Sequence, residues 1–123
     1  MQGFDDVTLS WKGVDYTIPA DRVFDLVRRI EDIVMNGGTT AAFVLLLQNR
    51  VSQSTLALAY AEALKHAGAK ITPSEVYLTV MQGFADNAAE AAALVQNAIV
   101  GLMCIISPPM ALEILGKSEE KKT

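Results

Sequence analysis

One histidine, one cysteine and a scatter of carboxylates are the residues in this 123-residue chain with chemistry to offer. His66 follows Glu62 by four positions, so on a helix the two would share a face and could form an acid–base pair or part of a metal site. A structural zinc site usually has about four ligands and a catalytic one about three. The sole thiol, Cys104, lies far along the chain from His66, and nothing in the spacing brings the two together. The expectation is an exposed helix face on which Glu62, Lys65 and His66 support one another near a helix C-terminus, where positive charge is favoured. A small enzyme or metal protein built on Glu62 and His66 is the competing reading, and it requires that His66→Ala abolish function.

Cys104 stands between Met103 and Ile105-Ile106. Those neighbours suit a small buried apolar residue, whereas an activated thiolate wants nearby positive charge. Asp5, Asp6, Asp15, Asp21 and Asp25 do not follow the spacing of a calcium loop. Strand-edge solubility and the helix dipole account for them. Gly37-Gly38 is not followed by a lysine that could hold a phosphate, and neither a nucleotide-binding nor a nucleophile-elbow motif is present. The sequence therefore predicts no catalytic residue, no metal site and no cofactor.

The elements that would position these residues begin with two alternating runs. Val7, Leu9 and Trp11, then Val14, Tyr16 and Ile18, fall on one face around Lys12-Gly13, which predicts a β-hairpin. A lone hairpin is marginal in water, so this face must pack on something. Pro19, Ala20 and Asp21 open a helix whose Val23, Leu26, Val27, Ile30, Ile33 and Val34 recur at helical spacing, up to Asn36-Gly37-Gly38. Within Thr39–Gln48, the apolar run Ala41–Leu47 has no period that decides between strand and helix; a third strand beside the hairpin is the expectation.

Ser52 or Ser54 caps a helix that ends near His66, with Gly68 as its stop. Thr72-Pro73-Ser74-Glu75 is a capping box that starts a helix ending near Gly83. Asp86 is expected to cap the last helix, Asn87 to about Ile106, before Pro108-Pro109. The predicted fold is α+β and mostly α, a small sheet of two or three strands on about four helices. Residues 1–116 would form a single domain and 117–123 a charged, disordered tail.

Composition narrows the function. A hydrophobic fraction of 51% with 20% charged residues is that of a globular protein. The net charge is −4, and no basic residue falls between Ile71 and Gly116. Nucleic-acid binding is disfavoured, because phosphate contacts need a basic stripe. The N-terminal residues lack the basic and apolar regions of a signal peptide, which points to the cytoplasm. The uncharged stretch Ala91–Leu112 has the length of a membrane span. It contains Gln96, Asn97 and Ser107 and is broken by two prolines, so a buried or partner-covered helix is the expectation. A helix apolar on all sides needs covering on all sides. The expected partner-binding residues are therefore Val95, Ile99, Leu102, Met103, Ile106 and Met110 on this segment.

The hairpin Val7-Thr8-Leu9-Ser10-Trp11-Lys12-Gly13-Val14-Asp15-Tyr16-Thr17-Ile18-Pro19-Ala20-Asp21 and the helix end Leu58-Ala59-Tyr60-Ala61-Glu62-Ala63-Leu64-Lys65-His66-Ala67-Gly68-Ala69, followed by Thr72-Pro73-Ser74-Glu75-Val76-Tyr77, make a pattern spanning roughly residues 7–103. It resembles the tail assembly chaperones of long-tailed bacteriophages. The resemblance implies a protein of the host cell cytoplasm, absent from the mature virion, that binds the tape measure protein and keeps it soluble during tail assembly. In many relatives ribosomal frameshifting also makes a longer form, whose extension contacts the tail tube protein. The alternative expectation is a structural virion component, a tail or head-completion protein, that self-associates as a homo-oligomer.

Overall fold

Strands β1 (Val7–Trp11) and β2 (Val14–Ile18) pair antiparallel, with Val7 opposite Ile18, Leu9 opposite Tyr16 and Trp11 opposite Val14. The computed structural model describes residues 5–108. Lys12 and Gly13 both have positive φ, 50° and 80°. A two-residue loop with this geometry matches the twist of the flanking strands. The outer face is polar: Thr8 and Thr17 hydroxyls meet at 3.0 Å, and Ser10 donates to Asp15 at 2.9 Å. On the inner face Leu9, Trp11 and Ile18 are buried.

Helix α1 (Ala20–Met35) starts where Asp6 accepts a 2.7 Å hydrogen bond from the Ala20 amide, and stops at Asn36 in the left-handed conformation. Its buried stripe is Val23, Leu26, Val27, Ile30 and Val34, the spacing that the sequence predicts.

The third strand does not form. Ala42–Leu47 is a short helix, α2, and among the described residues the sheet has two strands. Ala42 and Leu46, four residues apart, are the positions it buries, while Phe43 and Leu47 remain exposed. That is one helical face, against α1 and α5. A strand would have buried every second residue of a run that is apolar throughout and left large side chains on its outer face. Asn49, at φ 55°, closes α2, with the Arg50 amide reaching back to the Leu45 carbonyl.

Helix α3 (Gln53–His66) is capped by Ser52, which accepts from the Thr55 amide. It ends in a Schellman arrangement: Ala69 N–H donates to Leu64 C=O and Gly68 N–H to Lys65 C=O. Thr72 caps α4 (Pro73–Asp86) by accepting from Glu75 N–H. Two expectations are corrected here. Helix α4 runs through Gly83, and α5 (Ala88–Ile106) is capped by Asn87, which accepts from Glu90 N–H, with Asp86 still inside α4. Gly83 is a contact point rather than a stop. A Cβ there would lie 3.1 Å from that of Ala91, so the missing side chain lets the two helices close up around a single connecting residue.

Helix α5 is the centre of the molecule. It touches all four other helices and β1, and buries Ala91, Val95, Ala98, Ile99, Leu102, Met103 and Ile105. One continuous core joins it to the hairpin and to α1–α4. The chain is thus α+β and mostly helical, with five helices among the described residues where about four were expected; the extra one is α2. Residues 117–123, expected as a charged tail, lie outside the described residues.

Tyr60 ties the hairpin to the helices. It is 2% exposed, its ring centroid lies 6.3 Å from that of Trp11, and its hydroxyl donates to the Ser10 carbonyl at 2.7 Å. Burial disfavours the phenolate and pushes this group up to about 12 from its ordinary value of 10.0. A raised folded-state pKa means that the stabilisation is complete below about pH 10 and is lost as pH rises towards 12. Stability should fall by about 2 kcal/mol across that window. Urea midpoints at pH 9 and pH 11.5 check this, and Tyr60→Phe, which cannot ionise, should lose correspondingly less.

Candidate functional site

The sequence-predicted pair Glu62 and His66 does come together, in a cluster that joins two helices. His66 Nδ1 lies 3.1 Å from the Glu62 backbone carbonyl and 3.8 Å from its carboxylate. Its Nε2 is 3.8 Å from Asp25 of α1. Arg29, also on α1, reaches Glu62 at 3.4 Å and Asp25 at 3.6 Å. His66 is thus partnered by Glu62 of its own helix and by Asp25 of α1. The guanidinium already engages both carboxylates, and among the described residues no group of three potential ligands is placed to hold a metal ion. Asp25 and Arg29 are mostly exposed, so the ion pair between them contributes under about 1 kcal/mol. The cluster aligns α1 on α3.

The other chemical candidates have local roles. Asp6 caps α1, Asp15 accepts from Ser10 across the hairpin, and Asp21 sits in the first turn of α1. Cys104 is half-buried, and burial pushes its thiol pKa up, away from the thiolate that reactivity requires. An apolar cavity beside Trp11, Tyr60 and Val80 measures about 20 Å³. It is room for a single water and no larger ligand.

The expected partner-binding face on the last helix needs correction. Val95, Ile99, Leu102 and Met103 are buried in the chain's own core, Ile106 is half-buried, and Met110 lies outside the described residues. By length and composition alone α5 could cross a membrane. About 28% of that stretch is buried within the chain's own fold, where it packs against α1–α4 and β1.

Exposed apolar surface gathers on α4. This helix buries only Val76 and Val80, and it exposes Tyr77 (36%), Leu78 (64%) and Phe84 (40%). Tyr77, Met81 and Phe84 follow one another at i, i+4 and i+7, alongside the buried Val76–Val80 stripe. Between the second half of α4 and the first half of α5 runs an open cleft of about 820 Å³. Leu78, Met81, Ala91 and Leu94 provide its apolar lining, and Gln82, Asp86, Glu90 and Lys12 its polar one. Gln82 donates to both carboxylate oxygens of Asp86 at 3.2 Å. The remaining large exposed apolar residues, Val14, Phe24, Phe43, Leu47 and Leu58, are spread over β2, α1, α2 and α3, as on any protein surface.

Reasoning from the sequence did not single out the exposed apolar side chains of α4. The signal that could have found them is the width of α4's apolar arc, from Val76 round to Leu78, which exceeds what one core contact needs. Comparison of the chain with models of protein families, with curated proteins and with solved structures finds no match.

Proposed function

We propose that this protein is an assembly chaperone of a long bacteriophage tail, which binds the tape measure protein and keeps it soluble while the tail forms. It acts by binding and not by catalysis, in the host cytoplasm, and leaves before the virion is complete. The observation that carries the reading is the apolar surface of α4 beside the α4–α5 cleft. Surface of this kind suits a partner made largely of amphipathic helix. The resemblance of residues 7–103 to tail assembly chaperones supports the choice of partner. A longer frameshifted form that reaches the tail tube protein belongs to the same reading.

Co-expression tests it. The tape measure protein of the same phage should move from the insoluble to the soluble fraction when this chain is present, and the two should co-purify. Purified mature tails should contain none of it. A stoichiometric subunit in those particles would instead establish the alternative, a self-associating structural component of the virion.

A further inference from the structure

We infer that the α4–α5 cleft takes a basic amphipathic helix, seated with its apolar stripe on Leu78, Met81 and Leu94 and its cations towards Asp86 and Glu90. The inference deepens the chaperone reading and rests on it for the biological partner, but its chemistry comes from the cleft. Two packed helices joined by the single residue Asn87 form its walls, the kind of groove into which a third helix packs. The cleft is open and shallow-walled, and its apolar lining includes a methionine able to adapt to a range of side chains.

Charge selects the occupant. Residues 71–108 carry Glu75, Asp86 and Glu90 and no Lys, Arg or His. Both carboxylates at the cleft hold neutral partners, Asp86 the Gln82 amide and Glu90 the Asn87 side chain, and among the described residues neither forms a salt bridge. Lys12 also lines the cleft, with its Nζ held 5.9 Å over the Trp11 ring. The whole chain has a net charge of −4. A cationic helix is therefore both steered to this face and matched at its rim, while an acidic one is repelled.

The test uses two synthetic helical peptides with leucine at i, i+3, i+4 and i+7, one with lysine at the remaining positions and one with glutamate. Fluorescence anisotropy with the full chain should show the Leu/Lys peptide binding at least about tenfold tighter, with affinity falling as salt rises. Leu78→Asp should abolish the binding without altering the circular dichroism or the melting temperature. Asp86→Lys combined with Glu90→Lys should weaken the Leu/Lys peptide by about tenfold and strengthen the Leu/Glu one.

Equal binding of the two peptides, or undiminished binding by Leu78→Asp, overturns the inference. So does a concentration-dependent dimer that Leu78→Asp dissolves, which would make a second copy the occupant. So does a tenfold gain on changing Lys117, Lys121 and Lys122 to Glu, which would make the chain's own last residues the occupant. The two proposals fail separately. Peptide preference without rescue of tape measure solubility removes the chaperone reading alone, and rescue that survives Leu78→Asp removes the cleft alone.

Discussion

Tyr60→Ala should cost about 3–5 kcal/mol of folding stability, a large part of what a domain of this size possesses. Three losses coincide at this residue. The ring is almost fully buried between α3 and the hairpin, so its removal leaves a cavity beside Trp11. The Ser10 carbonyl loses the 2.7 Å hydrogen bond from the phenol. The hairpin, marginal by itself, loses the helix side chain that holds it. Tyr60→Phe separates these effects, because it keeps the ring and removes only the donor, at about 1–2 kcal/mol. Trp11 is the only tryptophan, so its fluorescence during urea denaturation reports on this joint directly. An alanine variant within about 1 kcal/mol of wild type would mean that Tyr60 is not what fastens the hairpin.

Leu102→Ala and Leu78→Ala should give opposite phenotypes. Leu102 is fully buried on α5, so truncation should cost about 2–5 kcal/mol through lost burial and a residual cavity. Leu78 is 64% exposed on α4, and its truncation should stay within about 0.5 kcal/mol of wild type. Thermal or urea melts of the two variants, read beside their binding to a helical peptide, form the decisive pair. Leu102→Ala loses stability, whereas Leu78→Ala loses affinity and leaves the melt unchanged. A Leu102→Ala protein as stable as wild type would return the α5 face to the surface.

Much of the local structure is legible in the sequence because local rules govern it. The hairpin follows from strict alternation around Lys12-Gly13, α1 opens at Pro19-Ala20-Asp21, and α3 and α4 begin where Ser52 and Thr72 accept from free amides. What failed depended on tertiary contact. Ala41–Leu47 is apolar on every side, so only the presence of α1 and α5 decides that it coils. Gly83 looks like a terminator until Ala91 is seen packed against it. Most of the expected partner-binding residues on α5 are buried for the same reason. An apolar helix announces that it will be covered, but not by what. On α5 the chain itself buries Val95, Ile99, Leu102 and Met103, and exposed apolar side chains remain on its neighbour α4.

The glycine at 101 belongs to the same account. A Cβ there would lie 2.9 Å from the Leu9 side chain and 3.3 Å from the Tyr60 ring. The hairpin settles into that notch across more than ninety positions of sequence.

The central place of α5 has a consequence for timing. It touches every other helix and β1, yet of the described elements it is the last to be synthesised. At roughly 5–20 residues per second, the first four helices and the hairpin wait several seconds with their shared inner faces uncovered. Nascent chains halted before residue 88 should therefore be sensitive to proteases and recruit cellular holdases. A protein proposed to shield another's apolar helices passes through the same exposure during its own birth.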